Sequence, residues 1–190
     1  MEGKTHVLGG MAFGLGSYLA MKETGILVAG VPDIAQLGVM LPYAIWGSTF
    51  PDLDQENHQK AEDNPINLVF QKVFKAFGVK HRGAGSHVIP ALAATAASGV
   101  LWWWMQIGKV PISIASTIGL LVCIGFACGV VSHLILDCFT MAGVHGIGGK
   151  PVIRFVPHNS IFGTGTPYEM VWRKFLYVID VILLVMVFIV

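Results

Sequence analysis

Residues 112–137 read ISIASTIGLLVCIGFACGVVSHLILD. No aspartate, glutamate, lysine or arginine interrupts the stretch before Asp137, and it exceeds the roughly 20 apolar residues that cross a bilayer as a helix. It closes on His133 and Asp137, four residues apart, which a helix brings to one face. There an imidazole nitrogen and a carboxylate oxygen can grip the same divalent cation. A polar pair at the lip of a membrane helix is costly without partners, so partners are expected elsewhere in the chain.

The whole composition agrees with that reading. Of 190 residues 54% are hydrophobic and only 12% charged, with a mean hydropathy of +0.68, which predicts one membrane domain over residues 1–190. A net charge of +1 identifies no partner; the placement of the charges is more informative. Cys123, Cys128 and Cys138 form no CxxC pair and are odd in number, as expected of small buried thiols and not of a disulfide framework. Lys4 precedes an apolar run, yet no small-x-small cleavage site ends it, so the N-terminus is expected to be retained.

Outward from the opening stretch, hydropathy predicts an all-α, polytopic helix bundle of about five hydrophobic segments, at residues 7–21, 34–50, 88–105, 112–136 and 173–190. The first carries Gly9, Gly10, Gly14 and Gly16, which suit close packing inside a bundle. The third ends in Trp102-Trp103-Trp104, an aromatic cluster of the kind found at water–lipid interfaces. Asn64-Pro65 signals an N-cap and a first helical position, after which Ile66, Val69, Phe70, Val73, Phe74 and Phe77 recur at helical spacing between Gln71, Lys72 and Lys75. Residues 65–77 are therefore expected to lie on the membrane surface. Residues 142–167 form a glycine-rich loop in which 150–157 suit a short strand or hairpin.

In this layout Lys4, Lys60, Lys72, Lys75, Lys80, Arg82, Lys150, Arg154, Arg173 and Lys174 fall on one side, and only Lys22 and Lys109 on the other. The positive-inside rule makes the rich side cytoplasmic, with the N-terminus in and the C-terminus out. His6, Asp52, Asp54, His81, His87, His133 and Asp137 then all fall at cytoplasmic helix ends. Each has a plainer explanation alone: an interfacial histidine at His6, a capping turn at Pro51 to Asp54, head-group anchors at His81 and Arg82, mutual pairing of His133 with Asp137. A shared metal site explains their convergence with one cause. His145 follows Asp137 closely and is a further candidate, whereas His58 and His158 lie in polar loops. Gly146 to Lys150 is not a phosphate loop, because Val144 and Pro151 stand where glycine and Ser or Thr are required. The basic side lacks aromatic interleaving, so no nucleic-acid partner is expected.

Thr5-His6, Pro51-Asp52-Leu53-Asp54, His81-Arg82-Gly83 and His133-x-x-x-Asp137 followed by Thr140 and Gly143-Val144, in this order, resemble the YdjM-like family of bacterial inner-membrane proteins, classed with metal-dependent hydrolases. Gly47 to Asp54 resembles, more distantly, a segment of the zinc-dependent phospholipase C and P1 nuclease superfamily. The resemblance implies that His6, Asp52, His133 and Asp137 are metal ligands, with Asp52 and Asp137 bridging two ions, and that His81 fills the intervening histidine position. The chain departs from the family at Ser86, which takes the place of a second histidine, with His87 one residue later. The soluble enzymes' further ligands have no counterpart, so of one to three Zn²⁺ or similar ions, two are expected.

The functional expectation is a membrane-embedded hydrolase of phosphoester bonds, in a phospholipid or related membrane substrate, acting by metal-activated water in the bacterial inner membrane. Arg82 is the candidate to hold a substrate phosphate and Asp54 the candidate to orient the water. The alternative is a non-catalytic membrane protein whose structural metal shapes a docking face for a cytoplasmic partner. Ion transport is disfavoured, because transporters place their ligands near the bilayer midplane.

Overall fold

The computed structural model describes residues 3–27, 31–54, 65–79, 83–140, 143–145, 151–155 and 165–189. Among these are six helices: α1 (Gly3–Glu23), α2 (Asp33–Thr49), α3 (Pro65–Ala76), α4 (Val88–Gln106), α5 (Ile114–Cys138) and α6 (Pro167–Ile189). A 3-10 turn, Phe50–Asp54, continues α2, and strands β1 (Val144–His145) and β2 (Pro151–Ile153) pair antiparallel inside the glycine-rich loop. Two such short strands leave the chain all-helical in class. The Asn64 cap expected before α3 lies outside the described residues.

Helix ends fall where local chemistry stops the backbone, and this corrects two expected boundaries. α5 starts at Ile114 and not Ile112, because Ser113 and Ser116 form a reciprocal capping box, each hydroxyl accepting from the other's backbone N–H at 3.2 and 2.9 Å. α6 starts at Pro167, six residues before the apolar run. Thr166 Oγ1 accepts from the Glu169 N–H at 3.4 Å, and Glu169 Oε2 accepts from the Gly165 N–H at 2.6 Å. This polar first turn is a helix start that hydropathy does not register.

α4 and α5 are long and apolar enough to cross a membrane by length and composition. α2 has 17 residues, about 25 Å of helix, and α6 carries Glu169, Arg173, Lys174 and Asp180. Outward faces are apolar: Leu92 on α4 is 65% exposed and Phe188 on α6 is 72% exposed, as befits helices facing lipid more than water.

The helices alternate in direction. The start of α1 meets the end of α5 where the His6 and His133 rings stack, and the start of α6 where Thr5 bonds Glu169 at 2.8 Å. The start of α4 meets the end of α5 through His87 and Asp137, and the end of α2 meets it through Ser48 and His133. One end of the bundle therefore gathers four other helix termini around the end of α5. In the interior, Leu15, Tyr18 and Leu19 of α1 pack with Leu37 and Met40 of α2 and Leu121 of α5. A second cluster joins Phe50, Leu53 and Phe74, fixing the amphipathic α3 beneath Trp46, whose Nε1–H donates to Asn67 Oδ1 at 2.8 Å.

Missing side chains let α2 and α5 touch. A Cβ on Gly125 would strike the Met40 carbonyl, one on Gly129 the Ala44 carbonyl, and one on Gly47 the Phe126 carbonyl. Backbone cannot yield as a flexible side chain can, so this small-residue seam fixes the helix separation. Gly129→Leu is expected to cost about 1–3 kcal/mol or more, seen as a lower melting temperature in detergent. Gly38→Leu, on the exposed face of α2 with nothing within 4 Å, is expected to leave it unchanged.

Candidate metal centre

Asp137 lies in the last turn of α5 and is buried. Its Oδ1 is 3.5 Å from His6 Nε2, and its Oδ2 is 3.4 Å from both His87 Nε2 and His133 Nε2. One carboxylate thus faces three imidazoles, drawn from α1, the N-cap of α4 and α5 itself. Asp52, on the 3-10 turn, brings Oδ1 to 3.7 Å from His133 Nε2. The donor atoms of His6, His133 and Asp137 all lie within 4.8 Å of one another, close enough to hold one metal ion.

The tautomer of His133 sharpens the case for a cation. Its Nδ1 lies 2.7 Å from the Ser48 carbonyl oxygen, which can only accept, so Nδ1 carries the proton. In the neutral ring Nε2 is then a bare lone pair, and it points at the carboxylates of Asp137 and Asp52 without a hydrogen-bond partner among the described residues. Lone pair against carboxylate is repulsive in a buried place; a divalent ion or a proton between them makes it attractive. A backbone carbonyl on the far nitrogen is also the usual device for orienting a ligating histidine. The His6 ring stacks on His133 with centroids 3.7 Å apart and planes 14° off parallel, an arrangement that disfavours charging both rings.

His87 adds a third imidazole. Its Nδ1 is 2.8 Å from the Ser86 hydroxyl, and burial lowers its pKa below that of an ordinary histidine even though Asp137 acts in the opposite sense. It is consequently neutral at neutral pH, the form that binds metal. The donor set as a whole, imidazole nitrogen with carboxylate oxygen, fits Zn²⁺ and other first-row divalent ions.

The remaining sequence candidates divide. Asp54 ends the 3-10 turn, near enough for its charge to act on His87. His81 and Arg82 lie outside the described residues, as does the side chain of His145, whose backbone pairs in β1. Sequence reading gave no part to Ser48, whose backbone oxygen alone acts and which carries no side-chain signal. It also overlooked Glu169, buried in the first turn of α6, which accepts from Thr5 Oγ1 and so clamps the turn that presents His6. That contact spans 164 positions of sequence, and no local pattern announces it.

A family model described as YdjM inner membrane protein matches residues 1–189. No curated protein and no solved structure matches the chain.

The centre predicts metal content directly. Purified His133→Ala and Asp137→Asn proteins are expected to retain less than about one-tenth of the wild-type metal by elemental analysis, while Ser86→Ala binds about 10–100-fold more weakly. Asp33→Asn, which removes the carboxylate paired with Lys22 at 3.4 Å, is expected to bind metal normally.

Proposed function

This chain belongs to the YdjM inner membrane protein family, and from that premise we propose that it is a metal-dependent hydrolase of phosphoester bonds in a phospholipid or related membrane substrate. The observation that carries the proposal is the buried carboxylate of Asp137 facing His6, His87 and His133 at 3.4 to 3.5 Å. A divalent ion held there, Zn²⁺ first among the candidates, would acidify a water and polarise a phosphoryl oxygen. The protein's own residues supply everything around it. Asp137 and Asp52 offer carboxylates from two sides, Ser48 fixes the His133 ring, and burial of His6, His87 and His133 excludes bulk water. Asp54, on the same turn as Asp52, orients the attacking water, and Arg82 holds the phosphate.

The proposal includes five crossings with the N-terminus and the site on the cytoplasmic side. Support comes from the bundle end that carries the cluster, which also holds Lys4, Arg173 and Lys174, while Lys22 and Lys109 close helices at the other end. A second reading, a structural metal stabilising a face for a cytoplasmic partner, draws on the burial of the histidines and Asp137. Asp52 distinguishes the two, because its side chain keeps 11% of its surface open and gives the cluster one accessible edge.

Chelation separates them experimentally. Dialysis of detergent-solubilised protein against a strong chelator is expected to abolish hydrolysis of phosphoesters in a substrate screen while the helical signal and melting transition persist, with Zn²⁺ restoring activity. Unfolding on chelation together with no turnover of any phosphoester would establish the structural reading instead.

A further inference from the structure

A groove of about 540 Å³ runs between the end of α2, the amphipathic α3, the first two turns of α4 and the middle of α5. We propose that it binds a hydrocarbon tail of a lipid phosphoester whose phosphate sits at the metal centre, an inference that rests on the hydrolase reading and names its tail-binding subsite. The volume falls in the range of ligand sites, and among the described residues no charged side chain lines the groove.

Its two ends differ in the way an amphiphile requires. At the inner end, Phe50 lies two residues before Asp52 on one 3-10 turn, and Gly85 lies two before His87 on the turn leading into α4. The walls there are the same backbone that presents two of the cluster's side chains. Toward the bilayer the lining residues Val73 and Ile89 are 40% and 58% exposed, continuous with the exposed apolar Val69 of α3 and Leu92 of α4. A tail entering from the lipid side therefore leads toward Asp52 and His87.

The groove exists because of small residues. Ala93 and Ala94 face it from α4, where a lipid-facing helix would ordinarily carry leucine or phenylalanine. Above them Phe50, Phe70 and Phe74 pack edge to face at 4.9 and 5.5 Å and form a firm aromatic wall. Lys72 and Lys75, exposed on the outer face of α3, bring positive charge to the level of an anionic head group. A second gap, about 610 Å³, lies on the other side of α4 but begins on α1 at Phe13, seven residues or about 10 Å of helix beyond His6. Its lining reaches Val131, two residues before His133 on α5, but touches neither of the turns that carry Asp52 and His87, and it serves as the internal control.

The test is photolabelling of the metal-loaded protein in liposomes of phosphatidylethanolamine and phosphatidylglycerol. Two probes carry a diazirine on the acyl chain: a phosphatidic-acid analogue, and a diacylglycerol analogue that lacks the phosphate. Mass spectrometry is expected to show the phosphate-bearing probe labelling α3 and the first turns of α4 on the order of ten-fold more than the phosphate-free one. Ala93→Trp, and separately the milder Ala94→Leu, should bring that ratio to one while metal content stays at the wild-type level. Gly99→Leu, in the second gap, should not change it. Equal labelling by both probes, or a ratio indifferent to Ala93→Trp and Ala94→Leu, would overturn the subsite even if phosphoester turnover is found. A groove preference without turnover would uphold the subsite while the hydrolase reading fails.

Discussion

The structure depends on keeping one carboxylate, Asp137, among three imidazoles where water is scarce. A buried ionised carboxylate is tolerable only if it is matched by positive charge or by several donors at close range. Asp137 finds two of its three partners, His6 and His87, outside its own helix, so α1, α4 and α5 must end or begin within a few ångströms of one point. The fourth constraint comes from α2, whose Ser48 carbonyl sets the tautomer of His133. Shifting any of these helices by one turn would leave a polar atom facing hydrocarbon. The cluster therefore acts as a register device for the bundle as well as a candidate site, and a bound cation would add its own affinity to the same alignment.

Meeting that demand requires helices closer than ordinary side chains allow, and the glycines supply it on one side of the molecule. Gly10 and Gly14 of α1 face Ser48 and Ala44, while Gly125 and Gly129 of α5 face the backbone of α2. All of these contacts converge on the stretch of α2 that ends at Ser48. Gly38, by contrast, meets nothing and lies on the outside, so glycine content alone would not have located the seam.

That contrast explains what was legible in the sequence. The apolar runs are long and their ends carry strong signals, so every helix could be placed to within a few residues, α6 excepted. The His133 and Asp137 spacing declared a common face because helical periodicity is local information. His6 and Asp52 could be referred to the same end by topology, but no periodicity could set their distance from Asp137. His87 illustrates the limit. Its displacement by one residue from the family pattern puts its role in doubt on paper, yet the turn at residues 83–87 rotates it onto Asp137. Loop geometry absorbs a one-residue shift that a helix would have turned by about 100°. Ser48 and Glu169 stayed hidden because one acts through its backbone and the other through a partner at the far end of the chain.

The 3-10 turn after α2 connects the cluster to the groove beside it. At about three residues per turn, positions two apart point roughly 120° from each other, so Phe50 and Asp52 face different sides of one short stretch. Phe50 is held by Phe70, Phe74 and Phe126 at 4.9 to 5.5 Å, and Asp52 faces His133. A rotation of the turn's backbone moves both side chains together. An apolar tail that tightens the aromatic wall would thus also steady the most accessible carboxylate of the cluster. Conversely, a cation drawing in Asp52 would fix the aromatic mouth of the groove. Tail binding and metal binding in the proposed enzyme would then be coupled through five residues of backbone, and linkage would require each to change the other's affinity by the same factor.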